Sequence, residues 1–237
     1  MTRRRWIADE VEGNRAVLSG AHADHLVRVL RARLGQEFDI AASNRVRRGR
    51  VVAIHDHGVE FELGEDAPAA AELKLTLALA IFKFDRMEWA LEKCTELGAA
   101  NIVPVIAQRT DSHLAAAAPK RRERWLRIAL QAAEQSRRIS PPRVELPIKL
   151  KDAVALAGTT RIVLAEPEAQ VSLQEAAQSY RGDADLVLAV GPEGGWTRHE
   201  EKLFREAGWV AASMGKTILR SETAAIAATA IVVSELA

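Results

Sequence analysis

One cysteine stands in the whole chain, Cys94, so no internal disulfide can form and nothing points to an oxidising compartment. Long hydrophobic runs are missing too: no stretch reaches membrane-spanning length, and the basic N-terminus runs into Asp9-Glu10 without an apolar signal core. The expected location is the cytoplasm, with no membrane partner. His22/His25 and His55/His57 have no Cys or carboxylate set at ligand spacing beside them, so no metal site is expected. Common nucleotide signatures are absent. Gly215-Lys216-Thr217 looks like the tail of a P-loop, but that motif needs a glycine five residues before its Gly-Lys, and Val210 stands there. Gly191-Pro192-Glu193-Gly194-Gly195 lacks the G-x-G-x-x-G spacing of a dinucleotide fingerprint. No nucleophile elbow or Ser/His/Asp set can be identified by spacing.

A large net charge is also missing, but the total of +1 hides a segregation. Residues 1–50 carry eleven Lys/Arg against six Asp/Glu, and residues 73–150 carry fourteen against eight. Residues 51–72 hold six carboxylates and no cation, and residues 151–237 hold eight cations against twelve carboxylates. Two basic blocks suit a polyanion partner, although a charge run is also what a solvated face looks like. At 237 residues and 48% hydrophobic, the chain can bury the core of one large domain or two modest ones.

In chain order, residues 3–7 and 15–18 read as short strands, and Ser19 is placed to cap a helix over residues 21–30. Residues 38–41, 45–55 and 59–63 read as further strands, the last two joined by a turn at His55-Asp56-His57-Gly58. This describes a small β-rich domain with one helix, followed by a linker at 64–72. The texture then changes to alternating strands and helices: a strand at 73–80, a helix at 85–97 closed by Gly98, and a strand at 102–106. A helix at 120–136, a helical turn at 150–157, a strand at 161–165 and a helix at 171–180 follow. An α/β domain with a largely parallel sheet is the expected fold.

The end of the chain is organised around two loops. Leu186-Val187-Leu188-Ala189-Val190 is long enough for a buried strand and too short for a helix, and it runs into Gly191-Pro192-Glu193-Gly194-Gly195. Glycines there let the backbone take positive φ and approach a ligand closely. Thr197 with Glu200 reads as a capping box opening a helix that Gly208 ends. Residues 209–213 read as a strand, and the second loop, Met214-Gly215-Lys216-Thr217-Ile218-Leu219-Arg220, leaves its end. Ser221 is placed to cap the last helix. Two loops at strand ends form a pocket, because ligands of open α/β sheets sit beyond the carboxyl ends of strands. The residues therefore offer a glycine-walled pocket, a buried-looking Arg220, and Glu222-Thr223 at a helix start.

Val190-Gly191-Pro192-Glu193-Gly194-Gly195 together with Ile218-Leu219-Arg220-Ser221-Glu222-Thr223-Ala224 resembles the signature of the SPOUT class of RNA methyltransferases. The 16S ribosomal RNA uracil-N3 methyltransferase family matches best. Further hallmarks are Lys83-Phe84-Asp85-Arg86-Met87-Glu88-Trp89, Lys93-Cys94-Thr95-Glu96-Leu97-Gly98, Ile102-Val103-Pro104, and Trp125 through Glu134-Gln135-Ser136-Arg137-Arg138 to Pro142. The resemblance covers residues 73–237 strongly and the N-terminal region in outline. It departs at Met214-Gly215-Lys216-Thr217, where the family usually has Leu-Gly and a pair such as Pro-Arg, and at Ser221, commonly Thr.

The resemblance implies a PUA-like RNA-binding β-barrel over residues 1–70 and a SPOUT domain over residues 73–237 with a deep trefoil knot at about 186–237. It implies a homodimer paired across the knot, S-adenosylmethionine as cofactor, and N3 of a uridine in the 16S rRNA of the small ribosomal subunit as target. The implied cofactor residues are Leu164, Ala165, Glu166, Val190, Gly191, Pro192, Gly194, Gly195, Met214, Gly215, Ile218, Leu219 and Thr223. Arg220 would stabilise charge on uracil O2 or O4, or fix a phosphate. Glu222 would accept the N3 proton, orient Arg220, or only complement the helix dipole. Glu193 reads as a loop carboxylate bonding backbone amides, or as a catalytic group. Arg3, Arg4, Arg5, Arg28, Arg31, Arg45, Arg47, Arg137 and Arg138 are the RNA-binding candidates. Ser136, Arg137 and Arg138 would lie at an RNA-facing mouth or a dimer seam. A transfer RNA or 2′-hydroxyl methyltransferase and a non-catalytic RNA-binding factor are the alternatives.

Overall fold

The structure, a computed structural model, describes residues 5–42, 45–56, 58–67, 73–165, 171–178 and 185–236. The chain divides into two compact units, Met1–Ala71 with Ala133–Pro141, and Glu72–Ala132 with Pro142–Ala237. Residues 3–4 of the first expected strand, residue 57 of the expected turn, residues 68–72 of the expected linker and residues 179–180 of the expected helix lie outside the described residues.

The first unit is built on β1 (Arg5–Ile7), β2 (Glu10–Glu12), β3 (Arg15–Ser19), β4 (Glu37–Ala42), β5 (Arg45–His55) and β6 (Gly58–Asp66), in the sheet order β1-β4-β5-β6-β3-β2. Among the described pairings of this sheet, β1 with β4 is parallel and the others are antiparallel. Alternation along the strands sends Ala16, Leu18, Val59, Phe61 and Leu63 into one core, where Phe38 and Phe61 meet edge to face. The helix expected at 21–30 is instead α1 (Gly20–Asp24) running on as a π-helical turn over His25–Val29. Ser19 does not cap it. Both its amide and its hydroxyl are held by Asp9 Oδ2, at 2.7 and 3.2 Å, so the hydroxyl turns back to the sheet.

The second unit is a parallel sheet with helices on both faces. Its elements are β7 (Leu75–Ala80), α2 (Phe84–Leu97), β8 (Asn101–Ile106), α3 (Ser112–Gln135), β9 (Arg143–Val144), β10 (Ile148–Lys149) and α4 (Leu150–Ala153). They continue with β11 (Thr160–Leu164), β12 (Val171–Ser172), α5 (Leu173–Ala177), β13 (Leu186–Val190), α6 (Arg198–Glu206), β14 (Val210–Ser213) and α7 (Ser221–Leu236). The strand order is β10-β8-β7-β13-β11-β14-β12, with β9 beside β8 and every described pairing parallel. β13 is apolar at every position because both of its faces are covered. Leu186, Leu188 and Val190 join Leu77, Met87, Trp125, Ala225 and Val232 on one side, while Val187 and Ala189 join Trp196, Phe204 and Trp209 on the other. β14, although late in the chain, lies in the sheet between β11 and β12.

Local differences from the sequence reading have physical causes. α3 starts at Ser112, eight positions before the expected 120, because Asp111 Oδ1 accepts from the amides of His113 and Leu114 and so opens the helix ahead of Pro119. At 171–180 the chain makes a two-residue strand first. A capping box between Ser172 and Glu175 then starts α5, and bonding to Ser172 lowers the Glu175 carboxyl. Ser221 is the first residue of α7, and the preceding Arg220 carbonyl accepts from Ala224 at 2.8 Å. The capping box expected at Thr197 and Glu200 is present with both reciprocal bonds.

α7 packs on α2 through small side chains, Ala225 and Ala228, and through Thr229. The buried Thr229 hydroxyl stands 2.7 Å from the Ala225 carbonyl and 3.4 Å from Cys94 Sγ, within hydrogen-bond reach of both. Burial pushes the Cys94 thiol up to about 12, with the Thr229 bond a smaller opposing effect. The folded thiol ionises later than the unfolded one, so its effect is to lower stability only as pH rises from 9.0 toward 12. Native protein at pH near 8 should therefore leave Cys94 unlabelled by iodoacetamide, and denatured protein should label one thiol per chain. Equal labelling rates in the two states would show that the α2–α7 seam opens freely.

Candidate functional site

The two loops meet. β11 lies between β13 and β14, and the carboxyl ends of the three deliver Leu164 and Ala165, residues 190–193 with Gly195 and Trp196, and Met214, Gly215 and residues 217–219 to one cleft that Ser221 and Ala224 of α7 close. Of the residues expected to hold the cofactor, Leu164, Ala165, Val190, Gly191, Pro192, Gly195, Met214, Gly215, Ile218 and Leu219 line it. Gly194 and Thr223 do not line it, and Glu166 lies outside the described residues.

The floor is rigid for reasons visible in its bonds. Trp196 donates from Nε1 to the Leu164 carbonyl at 3.1 Å and stacks edge to face on Phe204 with centroids 5.0 Å apart. Its ring leaves no room beside Gly191, where a Cβ would sit 3.3 Å from Trp196 Cε2. Gly195 takes φ +69 and donates to the Pro192 carbonyl, closing a tight turn that a side chain would strain. From the loop after β8, Arg109 Nη1 donates to the Gly194 carbonyl, and the Gln108 amide donates to Glu200 Oε1 at 2.7 Å. The glycine loop is thus clamped from outside the cleft. The sequence reading missed Trp196, Glu201, Thr217, Ser221 and Ala224 as lining residues. Trp196 adjoins the glycine loop and was within reach of the motif. Glu201 follows the capping-box residue and carries no signal of its own.

Charge in the cleft has one sign. Among its lining residues Glu193 and Glu201 are the charged ones, and no Lys, Arg or His takes part. Glu193 does not bond backbone amides as one expectation had it. It accepts from Arg86 Nη1 at 2.7 Å. Arg86 Nε also lies 3.7 Å from Glu222 Oε1. Glu222 is 3% exposed, and its Oε2 is buried with no hydrogen-bond partner. Arg86 had no place in the expected site, and only folding brings it there.

Arg220 is exposed, contrary to the expectation of a buried side chain. Its neighbours Leu219 and Ser221 both line the cleft, so it stands at the rim, and the helix start fixes its backbone while the side chain faces water. Glu222 therefore pairs with Arg86, and the ion pairs of the structure include none between Glu222 and Arg220.

The basic candidates of the first unit differ in what they already hold. Arg47 donates to the carbonyls of Leu63 and Gly64 and to Asn14 Oδ1, so it ties β5 to β6. Arg138 is buried. Arg5 donates to the carbonyl of Arg137, which has φ +60, and burial lowers its own pKa. Arg28 pairs with Asp24 at 3.3 Å and Arg45 with Asp66 at 3.8 Å; Arg31 and Arg137 are exposed. Ser136 bonds the Ala133 carbonyl. Arg3 and Arg4 lie outside the described residues. Among the described residues there is no metal-holding group of three or more His, Cys, Asp or Glu, and no helix is long and apolar enough to cross a membrane.

A parallel α/β sheet whose central strands end in loops around one cleft is a ligand-binding arrangement, and comparison with known proteins gives its class. The family described as RNA methyltransferase domain matches residues 69–233. Within that class the chain belongs to the ribosomal RNA small subunit methyltransferase E family. It is 35% identical to the member from Synechocystis over 87% of this chain and 69% of that one. It is 33% identical to the member from Mesomycoplasma hyopneumoniae over 65% of this chain, a stretch spanning 66% of that relative's length. The crystal structure of the Neisseria gonorrhoeae ribosomal RNA small subunit methyltransferase E, bound to S-adenosyl methionine, superposes with a TM-score of 0.82 at 31% identity, covering 97% of this chain and 96% of that one.

Proposed function

We propose that the chain is an S-adenosylmethionine-dependent methyltransferase that methylates N3 of a specific uridine in the 16S rRNA of the small ribosomal subunit. The observation that carries the cofactor is the cleft: it lies between the two glycine-bearing loops, and with Glu193 and Glu201 the charged groups among its described lining it suits a cationic sulfonium bearing an ammonium group. The Neisseria relative, solved with S-adenosyl methionine, supports the same reading. The uracil-N3 target rests on the motif resemblance at residues 83–98 and 134–138.

Bound there, the cofactor supplies a methyl group already activated for transfer. The chain's residues then have three tasks. The clamped glycine loop orients the donor against the base. Arg220, at the rim, stabilises the negative charge that develops on uracil O2 or O4. Glu222 Oε2 accepts the N3 proton as the N3 electron pair bonds to the methyl carbon and the carbon–sulfur pair returns to sulfur. Glu166 and Thr223 complete the proposed cofactor set, and Gly194 serves through its Arg109 clamp.

The same reading assigns residues 1–70 to a PUA-like RNA-binding domain, residues 73–237 to a SPOUT domain, and a trefoil knot to about 186–237. The knot rests on the motif resemblance at residues 190–195 and 218–224. Pairing of two subunits across the knot and a cytoplasmic location belong to this proposal. Arg3, Arg4, Arg31, Arg45 and Arg137 are its foremost phosphate contacts.

The test is transfer from S-adenosylmethionine by the purified chain to small ribosomal subunits from cells lacking the gene, followed by mass-spectrometric mapping. One uridine should gain a base methyl group. Methyl on a 2′-hydroxyl, on transfer RNA, or nowhere would overturn the assignment.

A further inference from the structure

Arg86 sits where a cation is disfavoured. It lies in the first turn of α2, against the positive end of the helix dipole. Two carboxylates explain it. Glu193, 107 positions away in the glycine loop, accepts a charge-assisted bond at 2.7 Å, and Glu222 at the start of α7 stands at 3.7 Å. One guanidinium serves both, and the buried Glu222 Oε2 is left with nothing to accept. Buried polar oxygens are nearly always bonded, so an unbonded one on the residue next to Ser221, which lines the cleft, is a place for an incoming N–H.

Resting on the function proposed above, we infer that Arg86 is a positioning residue: through Glu193 it fixes the cofactor loop, and through Glu222 it sets the carboxylate that takes the proton. α2, the glycine loop and α7 are joined at this one side chain. Loss of Arg86 would release the loop and leave the Glu222 charge buried without a counterion. Filling of the cleft and the setting of Glu222 are then coupled through the guanidinium.

The experiment compares Arg86→Ala, Arg86→Lys, Glu193→Gln, Glu222→Gln and the double variant Arg86→Ala/Glu222→Gln in the full chain. S-adenosylmethionine Kd is measured by calorimetry, kcat by methyl transfer to small-subunit RNA, and exchange of the Gly195 amide by hydrogen exchange without cofactor. Arg86→Ala should raise Kd about fivefold, lower kcat about tenfold and speed Gly195 exchange. Glu193→Gln should reproduce the Kd and exchange effects alone, and Arg86→Lys should recover most of the Kd. In the Glu222→Gln background, Arg86→Ala should cost no more than about twofold in kcat, because the two act through one group. Full multiplicative losses, or an unchanged Kd and Gly195 exchange in Glu193→Gln, would overturn the role of Arg86. Should Arg86→Ala not fold, Arg86→Lys and Glu193→Gln still decide it. Wild-type protein that binds no S-adenosylmethionine overturns the functional reading instead, whereas an active wild type with an unaltered Arg86→Ala removes only this inference.

Discussion

Arg220→Ala is expected to slow methyl transfer to ribosomal RNA by about 10²–10³-fold, the usual loss when a donor aimed at a developing oxyanion is removed. Affinity for S-adenosylmethionine should stay within about twofold, since Arg220 is not among the cleft-lining residues. The backbone will not move, because the Arg220 carbonyl remains bonded to the Ala224 amide and α7 starts at the same place. Nor should stability fall: the substitution removes an exposed cation from the N-terminal end of a helix, where the dipole opposes it. Transfer assays, calorimetry and thermal melting on one preparation give all three readings. Unreduced transfer would exclude Arg220 from the chemistry, and a weakened cofactor Kd would move it from base to cofactor.

Gly191→Val should weaken S-adenosylmethionine binding by roughly 100-fold, the upper range for an overpacked site that costs about 1–3 kcal/mol. The first added atom already meets Trp196 at 3.3 Å. That ring cannot withdraw, because its Nε1–H is bonded to the Leu164 carbonyl and its far side rests on Phe204. The extra methyl groups of valine must therefore enter the cleft or push the loop off its clamp. Gly191→Ala, needing a shift of a few tenths of an ångström, should cost much less. A Kd for Gly191→Val within twofold of the parent would mean that the ligand does not lie along this loop.

Different parts of the molecule were legible to different degrees. Leu186 to Val190 could be read as a buried strand because five apolar residues in a row fit only a strand covered on both faces. Thr197 and Glu200 could be read as a capping box because both partners are three residues apart. Ser19 looked equally suited to capping, yet Asp9, ten residues earlier, competes for its hydroxyl and wins. Arg220 looked buried, but the turn into α7 leaves it exposed, as is Ile218 at 82%. Arg47 looked like a surface cation, and its partners Asn14, Leu63 and Gly64 lie far enough along the chain that no local pattern could reveal them.

The sequence by itself determined most of the longer elements, the parallel α/β character of the second unit and the two glycine loops, because these rest on periodicity and on turn chemistry within a few residues. Only the tertiary structure decided the Arg109 and Trp196 braces, the exposure of Arg220 and the Glu193–Arg86–Glu222 bridge. Those depend on which strand lies beside which, and burial and ion pairing between groups a hundred residues apart are set by that order alone.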